Sequence, residues 1–376
     1  VTLFKKPSVN HTLVEMKSFL PNLGLRLLSV LSPERLLAGE LKRCSEARHD
    51  GEEWFIVDPH MHVAPWFEED PNELVEELSL SNVTVGLLYN PYPKMKFHSY
   101  DMNEYTQQVA EHSKGRVYAL SSLNTTHSNW TEHRDEEMAR LASFLEMPAV
   151  LGTKLAPPHT CLSLTSDIVA DVFEVMHSAS KAKVLGIHID TTPFCGPLGD
   201  MMPGIDFCCG VENVDPKHLK PYIEKYPDIT VVLLHSGHEF LPDEDTPYYY
   251  NFDYVGDSIE MAHSYSNVWL SMSAWFATDR KATQKLKYPG GLQNLQRMKR
   301  ANITHKLMWG SDASYYRGGI RRNLLRSIQA MVRAGFTQEE RCWSLMDAAV
   351  EAFGIPRRTA QGGRGDEKPA VVAMEA

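Results

Sequence analysis

The sequence predicts a (β/α)8 TIM barrel with an N-terminal helical extension, on three observations. Eight short apolar runs of strand type recur along the chain, helical patterns separate them, and five of the runs end in a residue able to ligate a metal. The runs are Trp54 to Asp58, Val83 to Leu88, Arg116 to Ser121, Val150 to Leu155, Lys183 to Ile189, Ile229 to Leu234, Asn267 to Ser271 and Lys306 to Trp309. Their starts lie roughly 30 to 46 residues apart, near the spacing that eight strand–helix units need. Alternation in this rhythm favours a closed parallel sheet.

Residues 1 to 50 read as a helical extension with apolar stripes around Leu13 to Leu20 and Leu25 to Leu41, packed on the barrel or on a second subunit. Residues 51 to 356 form the catalytic barrel, and 357 to 376 a flexible tail. Within the barrel, Asp70-Pro71-Asn72-Glu73 places an acceptor at the N-cap, proline at the first helical position and a carboxylate in the first turn, so a helix starts there. Ile168, Val169, Val172, Phe173 and Met176 recur at helical spacing and predict a stripe laid against the sheet. The stretch from Asp190 to Pro216 is long and rich in Gly, Pro and Cys, and loops of this length are usually functional lids or disordered. Arg364-Gly365-Asp366, a cell-adhesion tripeptide, falls in the tail, where so short a motif carries no weight.

Hydrophobic residues make up 43% of the 376 and charged residues 23%, which is globular composition. A net charge of -10 argues against nucleic acid or an anionic membrane as partner, because phosphate neutralisation needs concentrated Lys and Arg. A small-molecule substrate is expected instead, with a possible homodimer. No run approaches the ~20 apolar residues of a membrane span. Cys44, Cys161, Cys195, Cys208, Cys209 and Cys342 are too sparse for a disulfide scaffold, which predicts reduced thiols in a cytoplasmic protein. Five N-x-S/T sequons, at Asn10, Asn82, Asn124, Asn129 and Asn302, would matter only in a secreted protein, and without a signal-peptide pattern they are read as coincidence.

The chemistry lies at the strand ends, because in such a barrel the variable loops converge over the C-terminal mouth. His60 and His62 stand two apart, and side chains at i and i+2 of a strand share a face, so both imidazoles can reach one ion. Lys154, His188, His235 and Asp312 fall at or just after the ends of the fourth, fifth, sixth and eighth runs. Each has a plainer reading alone. A single strand-end histidine is often structural, Asp312 suits a helix N-cap, and Lys154 suits an ion pair or a substrate carboxylate. Jointly, imidazoles and a carboxylate make a nitrogen-and-oxygen site for Zn2+, Mn2+ or Fe2+ with a position open to water. Water bound there has its pKa lowered from ~15.7 toward ~7. Asp312 is then placed to take a proton and return it to the leaving group, and His235 to hydrogen-bond the substrate oxygen or bind a second ion.

Asp58-Pro59-His60-Met61-His62 is similar to the D-x-H-x-H opening of the amidohydrolase superfamily. Gly152-Thr153-Lys154-Leu155 resembles its G-x-K-L fourth strand, and Gly310-Ser311-Asp312 its closing G-S-D. Order and spacing most resemble the amidohydrolase-related branch, which holds aminocarboxymuconate semialdehyde decarboxylase and resorcylate-type decarboxylases alongside hydrolases. Asp347-Ala348-Ala349 is similar to the N-A segment of the family's last helix, so the resemblance spans about residues 54 to 356.

The resemblance implies one divalent metal, Zn2+ first among the candidates, held by His60, His62, His188 and Asp312, with His235 and Asp312 catalytic. In binuclear relatives a carboxylated fourth-strand lysine bridges two metals. Lys154, His235 and His238 are therefore candidates for a second metal or for substrate. Two departures stand out: His235-Ser236-Gly237-His238 replaces the usual H-x-G-G, and Ser314 stands where the branch often has proline.

The expected function is metal-dependent hydrolysis of a small amide, lactone or related bond. The rival is non-oxidative decarboxylation of an unsaturated or aromatic acid on the same metal site. Trp275 and Tyr315, with Tyr316, are candidates to stack on a planar substrate, and Arg280 and Arg317, with Lys94, to bind a carboxylate; each also reads as rim packing or a solvated charge. A third reading, a barrel used only as a binding scaffold, predicts lost ligands, and every ligand position is filled.

Overall fold

The computed structural model describes residues 33–46, 52–62, 71–89, 102–125, 129–160, 162–190, 214–238, 253–276, 290–314 and 319–358. Its strands are β1 Val57–His62, β2 Val85–Tyr89, β3 Val117–Ser122, β4 Val150–Leu155, β5 Val184–Asp190, β6 Thr230–His238, β7 Val268–Ser271, β8 Leu307–Met308 and β9 Ala313–Ser314. They hydrogen-bond in the order β8-β7-β6-β5-β4-β3-β2-β1-β9, and every pairing is parallel. β8 and β9 are the two ends of one run. Its first end pairs with β7 and its second with β1, which joins the two edges of the sheet and makes the predicted (β/α)8 barrel.

Parallel strands covered by helices are buried on both faces, and β2 and β5 accordingly read as continuous buried runs. The helix Pro71–Leu80 begins at the predicted proline and buries Leu74 and Leu78. The helix Asp167–Ser178 buries Ile168, Val169, Val172, Phe173 and Met176, the predicted stripe, and Ser166 caps it through the Ile168 N–H. Gly152 is required by close approach: a Cβ there would lie 1.8 Å from the Val184 carbonyl oxygen on β5.

The sequence places the first strand at Trp54 to Asp58, and the structure starts it at Val57 and carries it through His62. Proline disfavours a strand interior. Here β1 absorbs Pro59 at a register shift between Asp58 and Met61, and pairing resumes with Met61 opposite Leu88 and His62 opposite Tyr89. His60 and His62 therefore close the first strand, as expected of them.

The thiol expectation needs correction. Cys44 and Cys342 form a disulfide with a Cα–Cα distance of 5.4 Å across 298 residues of sequence. Chain separation hid the pair, since no local CxxC spacing announces a bond that only the folded barrel brings together. Cys161, Cys195, Cys208 and Cys209 lie outside the described residues, as do Asn10, the Arg364-Gly365-Asp366 tripeptide and most of the predicted long loop.

The bond ties the helix Pro33–Glu46 of the extension to the helix Gln338–Cys342 at the end of the barrel. Beside it, Arg341 holds the buried Glu40 through Nε at 2.6 Å and Nη2 at 3.2 Å, and Arg43 reaches the same carboxylate at 2.6 Å. Among the described residues, no helix is long and apolar enough to cross a membrane.

Candidate metal centre

The C-terminal end of the barrel gathers the predicted residues. His60 is fully buried on β1, and its Nε2 lies 3.1 Å from Asp312 Oδ1. His62 Nε2 lies 2.8 Å from the same oxygen. The donor atoms of His60, His62 and Asp312 all fall within 4.8 Å of one another. The Asp312 N–H donates to the His60 carbonyl at 2.7 Å, so backbone and side chain both tie the eighth strand to the first. Asp312 does not cap a helix, because the next one begins at Gly319.

His188, Asp190 and His235 form a second group whose donor atoms also lie within 4.8 Å of one another. His188 Nε2 stands 2.7 Å from Asp190 Oδ2, and the His188 and His235 rings are 4.3 Å apart between centroids. The two groups meet where the His60 and His235 rings approach to 5.0 Å. Lys154, 2% exposed on β4, donates from Nζ to His60 Nε2 at 3.0 Å and lies over the Tyr89 ring at 5.0 Å. One cluster of side chains from five places in the sequence thus fills the mouth.

Backbone conformation aims two of these groups. Asp312 has φ +52°, and His235, Ser236 and Gly237 have φ +62°, +50° and +78°. Left-handed backbone at residues other than glycine is uncommon and collects at functional sites, where surrounding structure holds it in place. At Gly237 a Cβ would also lie 2.4 Å from the backbone of Tyr254, so glycine alone fits there.

Burial sets the charge states. It pushes the imidazoles of His60, His62 and His188 below the ordinary histidine range, with the Lys154 ammonium as the next cause, and pushes His235 down to about 4. These rings are therefore neutral at pH 7, the form that ligates a metal. Burial opposes ionisation of Asp312, yet the neighbouring His60, His235 and His62 outweigh it and hold the carboxyl well below its usual range. Burial also lowers Lys154 to about 8, against the pull of Asp312 and Asp190, and raises Asp58 to about 7. Asp58 Oδ1 accepts from the Ser311 N–H at 2.9 Å and the His60 N–H at 3.2 Å, clamping the two strands that carry the ligands.

Hydrogen bonding supplies the test of whether a cation fits. A carbonyl only accepts, so His62 Nδ1 must donate to the Tyr89 carbonyl at 3.3 Å. A neutral His62 then turns the lone pair of Nε2 toward the ionised Asp312 oxygen 2.8 Å away. Two electron-rich atoms at that distance call for a proton or a metal cation between them. His235 Nδ1 likewise donates to the Ser273 carbonyl at 3.1 Å, which leaves Nε2 as its lone-pair nitrogen. Imidazoles oriented by backbone carbonyls in this way are a recurring feature of metal sites.

Two residues stand apart from both ligand groups. His238 stacks on Trp275 at 5.1 Å, meets Asn294 Nδ2 through Nδ1 at 3.1 Å, and is pushed down to about 3 by burial. Trp275 is itself buried and donates from Nε1 to the His235 carbonyl at 2.8 Å, so it braces the left-handed turn. Arg280, Tyr315, Tyr316, Arg317 and Lys94 lie outside the described residues. Asp347 pairs with Arg357 at 2.9 Å. Sequence reasoning missed Asp190. Its signal was present, since His188 and Asp190 repeat on β5 the i, i+2 spacing of His60 and His62 on β1.

The family model for amidohydrolases, Amidohydro_2, matches residues 170–355. A search of curated protein sequences finds no match. Among solved structures, a probable 2-pyrone-4,6-dicarboxylic acid hydrolase of Acinetobacter baumannii with citric acid bound is similar over 80% of this chain and 99% of that one, at 17% identity and a TM-score of 0.51. A β-aspartyl dipeptidase of Fervidobacterium islandicum is similar over 80% of this chain and 73% of that one, at 11% identity and a TM-score of 0.51. At these identities the structures speak for the fold. The family match covers the second half of the barrel, and β1 carries the D-x-H-x-H residues that resemble the opening of the amidohydrolase superfamily.

Proposed function

We propose that this barrel is a metal-dependent hydrolase that cleaves an amide, lactone or related bond of a small organic substrate. One observation carries the reading: the two neutral imidazoles of β1, His62 oriented by the Tyr89 carbonyl, face an ionised Asp312 from the eighth strand, with all donors within 4.8 Å. His60, His62 and Asp312 would hold a divalent ion, and the nitrogen-and-oxygen donor set suits Zn2+. His188 either completes that shell, as the family resemblance implies, or acts with Asp190 and His235 in the neighbouring group. A divalent ion there supplies Lewis acidity and lowers the pKa of a water toward ~7.

The chain's own residues supply the rest. Asp312 is 23% exposed toward the mouth and has a second carboxylate oxygen to take a proton and hand it to a leaving group. His235 presents the lone pair of Nε2, which can accept a proton from a substrate hydroxyl or a water, while Ser273 and Trp275 fix its ring and backbone. The Lys154 ammonium favours a second reading, non-oxidative decarboxylation, since a buried cation at the mouth suits a substrate carboxylate. The cytoplasmic placement expected from reduced thiols loses its ground with the Cys44–Cys342 bond.

Metal analysis of the purified protein, followed by a screen of lactones, amides and unsaturated acids with carbon dioxide detection, tests the proposal. A cleaved lactone or amide supports the hydrolase, and gas from an acid supports the decarboxylase. Protein that binds no divalent metal sinks both.

A further inference from the structure

The disulfide and the sequons point to the same conclusion by separate routes. Fourteen asparagines in a chain where 46 of 376 residues are Ser or Thr give about two N-x-S/T sequons by chance, and this chain carries five. A disulfide between residues 298 apart persists where the surroundings oxidise thiols, and compartments of that kind are also where asparagine-linked glycans are attached.

Exposure then sorts the sequons. Asn82, Asn129 and Asn302 are exposed, whereas Asn124 is half-buried and its N–H is taken by Glu137 at 3.3 Å. Asn82 and Asn302 each end a helix with left-handed backbone, φ +59° and +56°, in turns that lead into β2 and β8. Those turns lie at the end of the barrel opposite the metal centre. Asparagine is favoured in such turns for its conformation alone, so these two have a structural reason as well. Asn129 has none of that kind. It precedes the helix Trp130–Leu145, its side chain makes no capping hydrogen bond, and Thr131 two residues on is exposed.

We propose that this chain matures in an oxidising compartment that attaches asparagine-linked oligosaccharides, and that Asn82, Asn129 and Asn302 carry them. In the transfer, C1 of the first sugar leaves a lipid pyrophosphate donor and bonds to the asparagine Nδ2. The nitrogen gives up one proton, and the lipid pyrophosphate departs with the electron pair of the broken C–O bond. Glycans at Asn82 and Asn302 leave the mouth clear, and the one at Asn129 stands on the mouth side, at the start of the helix after β3.

The test uses protein isolated from the cells that make it. Release by peptide N-glycosidase in heavy-oxygen water marks each occupied asparagine as a labelled aspartate, and peptide mass spectrometry reads the sites. Label at two or three of Asn82, Asn129 and Asn302, with the Cys44 and Cys342 peptides linked until reduction, is the expected result. Label at one or none, or Cys44 and Cys342 alkylated without reduction, overturns the proposal. The readout requires no activity, so it stands apart from whether the barrel hydrolyses or decarboxylates.

Discussion

Asp312 Oδ1 lies 2.8 Å from Nε2 of His62 and 3.1 Å from Nε2 of His60, so a single carboxylate oxygen faces two imidazoles from the opposite edge of the sheet. Asp312→Asn keeps the shape of that group and removes its charge. The variant is expected to lose bound divalent metal and to drop kcat/KM by roughly 10³-fold, within the range for removing a proton-transfer group. Unchanged circular dichroism would show that the barrel survives. A variant that keeps its metal and more than a tenth of the activity would remove Asp312 from the centre.

Lys154 decides between one ion and two. With its ammonium lowered only to about 8, it remains largely cationic at pH 7 and repels a second cation beside His60. One ion per chain is therefore expected, and Lys154→Met should leave that count unchanged by elemental analysis. Two ions in the native protein and one in the variant would mean instead that the lysine bridges a metal pair.

Asp58 acts through backbone groups. Its Oδ1 accepts the N–H of both Ser311 and His60 in a fully buried setting, so Asp58→Ala strands two donors. The expected loss of stability is about 1–3 kcal/mol per stranded donor, before any relaxation. Denaturant unfolding of the metal-free protein measures it without interference from ligand binding. A loss under ~0.5 kcal/mol would show that the clamp contributes nothing beyond a surface substitution.

Much of this was legible in the residues because strand periodicity and ligand chemistry are local. The eight runs match the observed strands to within a few residues, and His60, His62 and Asp312 meet as their types suggested. β1 runs on past the expected end at Asp58 to His62 because Pro59, a residue that disfavours strands, is absorbed by a bulge where β2 holds the register. Asp190 was overlooked although its spacing from His188 was visible. The Cys44–Cys342 bond was not legible at all, since it depends on where the extension docks, and no spacing encodes that.

That bond should be felt in stability. It closes a loop of 298 residues, so it restricts the unfolded chain strongly. The double variant Cys44→Ser, Cys342→Ser is expected to unfold with about 2–5 kcal/mol less stability. Metal binding should persist, because the bond lies at the docking site of the extension rather than among the ligands. Equal denaturant midpoints for the oxidised protein and the variant would count against a role for the staple.

Acid should destabilise the metal-free protein through its buried imidazoles. Burial lowers His235 to about 4 and His238 to about 3, and lowers His60 and His188 well below 6.5, while the unfolded chain protonates its histidines near 6.5. Between those limits the unfolded state binds more protons, so stability is full above pH 6.5 and falls as the pH drops toward 4. Each such ring contributes at most about 1.4 kcal/mol per pH unit. His238→Gln removes one titrating ring that belongs to neither ligand group, and should flatten the slope between pH 6 and 4.5 by up to that amount. Unfolding curves at several pH values measure the slope directly. A slope unchanged in His238→Gln would mean that the ring is protonated in the folded chain, contrary to its burial against Trp275 and Asn294.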